Sequence, residues 1–73
     1  MKVYSLVSFV DYEGYYLVGV YGSLEDLMKY VEDGKWYVDR LGYVESELGE
    51  EINVMAEVVY VPFVNSSNEQ VMV

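Results

Sequence analysis

Residues 1–21 read MKVYSLVSFVDYEGYYLVGVY, and the fold turns on this stretch. Val3, Ser5, Val7 and Phe9 alternate with Tyr4, Leu6, Ser8 and Val10. A period of two in β-branched and aromatic residues predicts a strand over residues 1–10. Asp11-Tyr12-Glu13-Gly14 then supplies turn chemistry, with Gly14 suited to a positive φ at the end of a hairpin loop. A second strand is expected over residues 15–21, where Gly19 in mid-strand points to a bulge or a close backbone approach. Both strands carry apolar residues on both faces, whereas sheets half-exposed to water alternate more cleanly. Each face of this hairpin therefore calls for cover.

One covering element follows directly. Ser23 is placed to cap a helix, and Asp26 stands three residues on, in a capping-box position. Leu24, Leu27, Met28 and Val31 form an i, i+3, i+4, i+7 stripe that faces a core. Glu25 and Lys29 are spaced for an outer-face ion pair, and Gly34 is expected to stop the helix. Residues 35–40 read equally as strand or connector, and Trp36 within them is read as a core anchor. Alternation returns over residues 41–48, a third strand. A loop at 49–53 leads to a fourth strand over 54–61, closed by Pro62, which cannot donate to a ladder. The order β-β-α-β-β predicts an α+β fold: a four-stranded antiparallel sheet with one helix packed on one face. Residues 1–62 form the single domain and 63–73 a C-terminal tail, whose apolar end Val71-Met72-Val73 is either mobile or docked back on the body. One short helix cannot cover four strands, so a second copy or another partner is expected on the remaining face.

Composition removes most kinds of chemistry. No cysteine is present, which excludes disulfides and thiolate metal sites, and no histidine, the commonest general base and transition-metal ligand. There is no Ser–His–Asp or Cys–His set and no glycine-rich phosphate loop, so no enzyme and no catalytic residue is expected. Asp11 with Glu13, and Glu50 with Glu51, share loops but lack calcium-loop spacing, so neither metal nor cofactor is expected. The apolar run Val58–Val61 is far too short for a membrane span of about 20 residues, and the N-terminal residues lack the apolar core and cleavage site of a signal peptide. The expectation is a soluble, cytoplasmic protein. Thirteen acidic residues face four basic ones, and the net charge of −9 repels nucleic acid. Direct nucleic-acid binding is therefore not expected.

The acids themselves offer a candidate site. If Leu48 pairs with Val54 across the loop, Glu45 lies opposite Glu57, Glu47 beside Met55, and Tyr43 opposite Val59. Like charges opposite one another cost stability. Glu50 and Glu51 extend the run at the loop, and no basic residue occurs over residues 41–73. Tyr43, Glu45, Glu47, Glu50, Glu51 and Glu57 are thus the candidate partner-binding residues: an acidic, tyrosine-bearing face suited to a basic protein surface, including one that otherwise holds DNA. A one-residue slip in register would dissolve the stripe. Nine tyrosines fit an interface, and fit equally a small sheet.

Met1-Lys2-Val3-Tyr4, the acidic-glycine turn Asp11-Tyr12-Glu13-Gly14, and Gly19-Val20-Tyr21-Gly22-Ser23 with Leu24-Glu25-Asp26 after it together resemble small ββα-type proteins encoded by bacteriophages and prophages. The resemblance covers residues 1–33 and rests on structural motifs. The fourth-strand segment and the Asn-Ser tail depart from it. It implies a phage origin, a host-cytoplasm location and a role in countering or modifying a host protein, with no catalytic residue to carry over. The resulting expectation is a non-enzymatic protein-binding module, an inhibitor presenting an acidic, DNA-mimic-like face to a basic host protein. The alternative is a structural protein that forms a homodimer through an exposed sheet face.

Overall fold

β1 (Lys2–Val10), apolar on both faces, lies in the middle of the sheet. The computed structural model describes residues 1–66. In it β1 pairs antiparallel with β2 (Gly14–Tyr21) on one side and β3 (Arg40–Glu47) on the other. A short β4 (Val59–Val61) adds antiparallel to β3, so the sheet order is β2-β1-β3-β4. The α+β class and the four-stranded antiparallel sheet are those expected.

The hairpin between β1 and β2 closes where the Glu13 N–H donates to the Val10 carbonyl at 2.9 Å. Gly14 takes φ +91°, a conformation open to glycine and strained for other residues. Leu6 pairs with Gly19 while Val7 pairs with Leu17, so Val18 is the extra residue of a bulge beside the mid-strand glycine.

Helix α1 (Leu24–Asp33) lies on the face bearing Leu6 and Leu41. Ser23 Oγ accepts the Asp26 N–H at 3.1 Å, as the sequence anticipates. Leu27 and Val31 are buried against Leu6, Leu41 and Trp36, and full burial of a leucine such as Leu27 stabilises by about 2 kcal/mol. Gly34 does end the helix, but at φ −85° and ψ 162°, an extended backbone rather than a left-handed cap. Its missing side chain serves packing instead, because a Cβ there would lie 3.2 Å from the Trp36 indole. That indole donates from Nε1 to the Val31 carbonyl at 2.8 Å, so Trp36 is a core residue anchored to the last turn of α1. Residues 35–39 are a connector, with one parallel bridge from Trp36 to Asn65. No ion pair joins Glu25 and Lys29 among the described residues.

The segment expected as the fourth strand is where sequence and structure part. Residues 54–57 form a one-turn helix, α2 (Val54–Glu57), and only Val59–Val61 remains strand. Asn53 caps α2 through Oδ1, which accepts the Ala56 N–H at 3.3 Å, while Glu57 Oε2 accepts the Asn53 N–H at 3.0 Å. The turn seats Val54 and Val58 on Val7, Phe9 and Val44, the second core. An extended strand at 54–58 would have left that face open. Part of the cover attributed to a partner is thus supplied by the chain itself. Of the expected tail, Phe63 packs on the α1 core and the Ser66 N–H donates to the Trp36 carbonyl at 2.7 Å, so its first residues lie against the body. The rest of the anticipated tail, with Val71-Met72-Val73, lies outside the described residues.

Gly42 of β3 carries the close approach between β3 and the α2–β4 segment. A Cβ at this position would sit 2.5 Å from Val58 Cγ2 and 2.9 Å from the Val59 carbonyl oxygen. The backbone contact cannot be relieved by a rotamer change, so Gly42→Ala is expected to destabilise the fold by about 1–3 kcal/mol. Urea unfolding monitored by Trp36 fluorescence checks this, and an unchanged midpoint would mean that β4 is not held against β3 in solution.

Candidate functional site

The expected acid stripe is assembled from β3 outward. The register assumed for its pairing with the last strand is correct where that strand exists: Tyr43 faces Val59, and the ladder runs on through Gly42–Tyr60 and Leu41–Val61. It ends at Tyr43, because the chain that precedes Val59 is coiled into α2. Glu45 therefore does not face Glu57, and Glu47 does not lie beside Met55. On the other side of β3, Glu45 is opposite Tyr4 and Glu47 opposite Lys2.

Those neighbours partly neutralise the stripe. Lys2 Nζ lies 3.6 Å from Glu45 Oε1, and the N-terminal ammonium lies 3.1 Å from Glu47 Oε2. Both pairs are well exposed, so solvent screens them and each contributes little to stability. Tyr43 packs edge-on against Tyr4 with ring centroids 6.1 Å apart, at the margin of the α1 core. Glu50 and Glu51 are exposed in the loop past Gly49, which takes φ +86°. Glu57 is exposed on α2, the element covering the opposite face, where its carboxylate caps Asn53. Of the six candidate residues, Tyr43, Glu45 and Glu47 share one strand face, Glu50 and Glu51 continue from its end, and Glu57 is removed from the group.

A second group of acids gathers at the other end of the sheet. The Asp11 N–H donates to Asp39 Oδ2 at 2.7 Å, and Arg40 Nη2 lies 3.4 Å from Asp11 Oδ1. The Arg40 guanidinium also covers the rings of Phe9 and Tyr60, at 5.2 and 5.5 Å from their centroids. Glu13 accepts from the Tyr16 hydroxyl at 3.4 Å. The carboxylates are distributed around the molecule, with no three of them grouped to hold a metal ion among the described residues. No helix among the described residues is long and apolar enough to cross a membrane.

The surface that sequence reasoning did not single out is β2. It is one edge of the sheet, and its outer side faces no strand among the described residues. Leu17 is 62% exposed, Val20 53%, Tyr16 53% and Tyr15 47%, although each is a large apolar or aromatic residue. Leu17 shares a face with Val7, Val20 with Ser5 and Tyr15 with Phe9, so three of the four extend the second core past the cover that α2 provides. No charged residue occurs over residues 14–24. The available signal was the apolar character of β2 on both faces; its position at the edge depends on β1 choosing β3 as its other neighbour.

A half-open groove of about 400 Å³ lies between the end of α1 and the chain after β4. Val31, Glu32, Gly34, Pro62, Phe63 and Val64 line it, an apolar set with one carboxylate. It offers no pair of groups that could share a proton. The tyrosines that depart from ordinary behaviour lie elsewhere. Tyr4 has its pKa raised from 10.0, by loss of solvent around the ring and then by the hydrogen bond and charge of Glu45. Tyr21 is raised by loss of solvent and then by Tyr30. Both phenols keep their protons near neutral pH. Compared with protein families, curated proteins and solved structures, the chain matches none.

The two raised phenols set an alkaline limit on the fold. The folded state holds these protons more tightly than the unfolded chain, so their contribution is full below pH 10.0 and is lost as pH rises through the raised values. The unfolding free energy is expected to fall above about pH 10, and to fall less steeply in a Tyr4→Phe, Tyr21→Phe double variant. Urea titrations across that range test it; an equally steep fall in the double variant would place the cause in other groups.

Proposed function

We propose that this protein is a non-enzymatic binding module for a basic protein, making its apolar contact through β2 and drawing the partner in with its acidic surface. The observation that carries this reading is the edge strand β2, which pairs on its outer side with no strand among the described residues, is eight residues long and uncharged, and exposes Leu17 and Val20 to solvent. Edges of this kind are normally blunted by charge, proline, brevity or cover, because they pair with other chains. The opposite edge is blunted in this way: β4 has three residues and is followed by Pro62. Among the described residues, β2 has a bulge and none of these devices.

Charge fits the same reading. A net −9 at neutral pH gives long-range attraction to a cationic surface and raises the encounter rate. Glu45 and Glu47, each shared with a cation of the N-terminal residues, and the separated Glu57 make the acid face a source of attraction more than a docking surface. An inhibitory role against a host protein, as the resemblance to phage-encoded proteins implies, is one form this binding takes. A structural role, with a second copy on β2, is the competing form.

Leu17→Ser separates binding from folding, since Leu17 is mostly exposed. Tagged wild-type protein in a bacterial host is expected to retain one basic protein at low salt and release it at high salt. The variant should keep its circular dichroism spectrum and bind that protein about ten-fold more weakly, the scale for truncating an interface anchor. Undiminished capture by Leu17→Ser would remove β2 from the contact, and recovery of nothing but further copies of the chain would favour the structural role.

A further inference from the structure

Resting on the reading of β2 as the contact surface, we infer that its occupant is an extended segment of a basic protein, added antiparallel or parallel to β2 as a fifth strand and flanked by lysine or arginine. Two observations commit the site to this occupant. The first is the edge itself. Along an edge strand the outward-pointing N–H and C=O groups form a template for main-chain pairing, and apolar side chains on the exposed faces give an incoming strand something to pack on. Tyr16 lies on one face of β2, Tyr15, Leu17 and Val20 on the other, and all four are about half exposed or more. The bulge at Val18 increases local twist but adds neither charge nor proline, so the edge stays open on both sides of it.

The second observation is the charge at the two ends of the strand. Asp11 and Glu13 stand immediately before β2, and Glu25 and Asp26 open the first turn of α1 immediately after it, all four exposed. Arg40 of β3 pairs with Asp11 at 3.4 Å, so it is Glu13 that carries the charge of the first end toward the free edge. An uncharged strand with carboxylates at both ends fits an uncharged strand with cations at both ends. It disfavours a second copy. Two β2 strands paired antiparallel would bring the acidic turn of residues 11–13 of each toward the Glu25–Asp26 end of the other, and paired parallel in register would set Glu13 beside Glu13. Like charges meet in either case.

The test uses the 73-residue chain and labelled synthetic peptides of about ten residues, the length that spans an edge strand. One has a Thr-Val alternation flanked by two lysines at each end, one the same core flanked by glutamates, and one the lysine-flanked core N-methylated at every core residue, so that neither of its edges can donate to a partner strand. Fluorescence anisotropy is expected to show the lysine-flanked peptide binding at least roughly ten-fold tighter than either of the others, since each loses charge pairing or main-chain hydrogen bonds. Hydrogen exchange should slow at amides of β2 and not at those of β4. Equal binding of the N-methylated peptide, or slowing at β4, would overturn strand addition. A loss on Leu17→Ser in that case would leave β2 standing as a contact surface. Sedimentation showing a dimer that Leu17→Ser dissociates would overturn the basic segment as occupant in favour of a second copy. Failure of every peptide to bind, in a monomer whose captured protein ignores Leu17→Ser, would overturn this inference and the reading beneath it together.

Discussion

A central strand buried on both faces needs cover from two directions, and in a chain of 73 residues that need organises nearly everything else. Ser5, Leu6, Val7, Ser8 and Phe9 are all buried. Leu6 requires a layer on one side, which α1 and Trp36 provide; Val7 and Phe9 require one on the other, which Val54 and Val58 provide. A domain of this size buries only about 60% of the surface its unfolded chain exposes, so neither layer can be generous. The helix side receives ten residues of α1, and the opposite side receives one helical turn. That unequal division explains why β2 keeps its apolar side chains in water. Cover on the second face is centred on Val7, Phe9 and Val44 and does not reach Leu17 or Val20.

The elements legible in the sequence are those whose signals are local. Ser23 with Asp26, the Leu24-Leu27-Met28-Val31 stripe and the turn ending in Gly14 each state their geometry within a few residues, and each takes that geometry. Residues 54–58 are different because Val54, Ala56 and Val58 alternate as a strand would. What decides for helix is the reciprocal pair of hydrogen bonds between Asn53 and the Ala56–Glu57 end, together with the need to bury Val54 on the second core. The first is a weak local signal, easily passed over inside a loop. The second is tertiary and overrides β-propensity. Gly34 shows the same limit in miniature: its place at the helix end is legible, but its reason, the indole of Trp36, is not.

The candidate site was legible in its parts and not in its arrangement. The assumed hairpin register is right at Tyr43 and Val59, yet it failed for Glu45 and Glu57, because register holds only for as long as both chains stay extended. With α2 lifting Glu57 to the other face, the acids left on β3 meet the two cations that the first residues of the chain supply. Under the proposed reading the carboxylates act through their sum more than through a patterned stripe. Where β2 falls in the sheet could not be read from its own residues, since an edge strand and a central strand of the same composition look alike until strand order is known.

Charge and edge then bear on each other. A long, uncharged, apolar edge is a hazard in a free protein, because the easiest strand for it to meet is the same strand in another copy. The chain does not guard β2 by placing a lysine or proline within it, which would also block any other partner. Its acids stand at both ends of the strand and across the rest of the surface, so two copies repel before their edges can meet. The same field draws a cationic chain inward. Specificity is a difference between affinities, and a repulsion that falls on self-pairing alone raises that difference without weakening the wanted contact. High salt shortens the reach of this protection to a few ångströms at about 1 M. Under the proposed reading the acidity serves more than solubility: it keeps available an edge that pairs with no strand among the described residues.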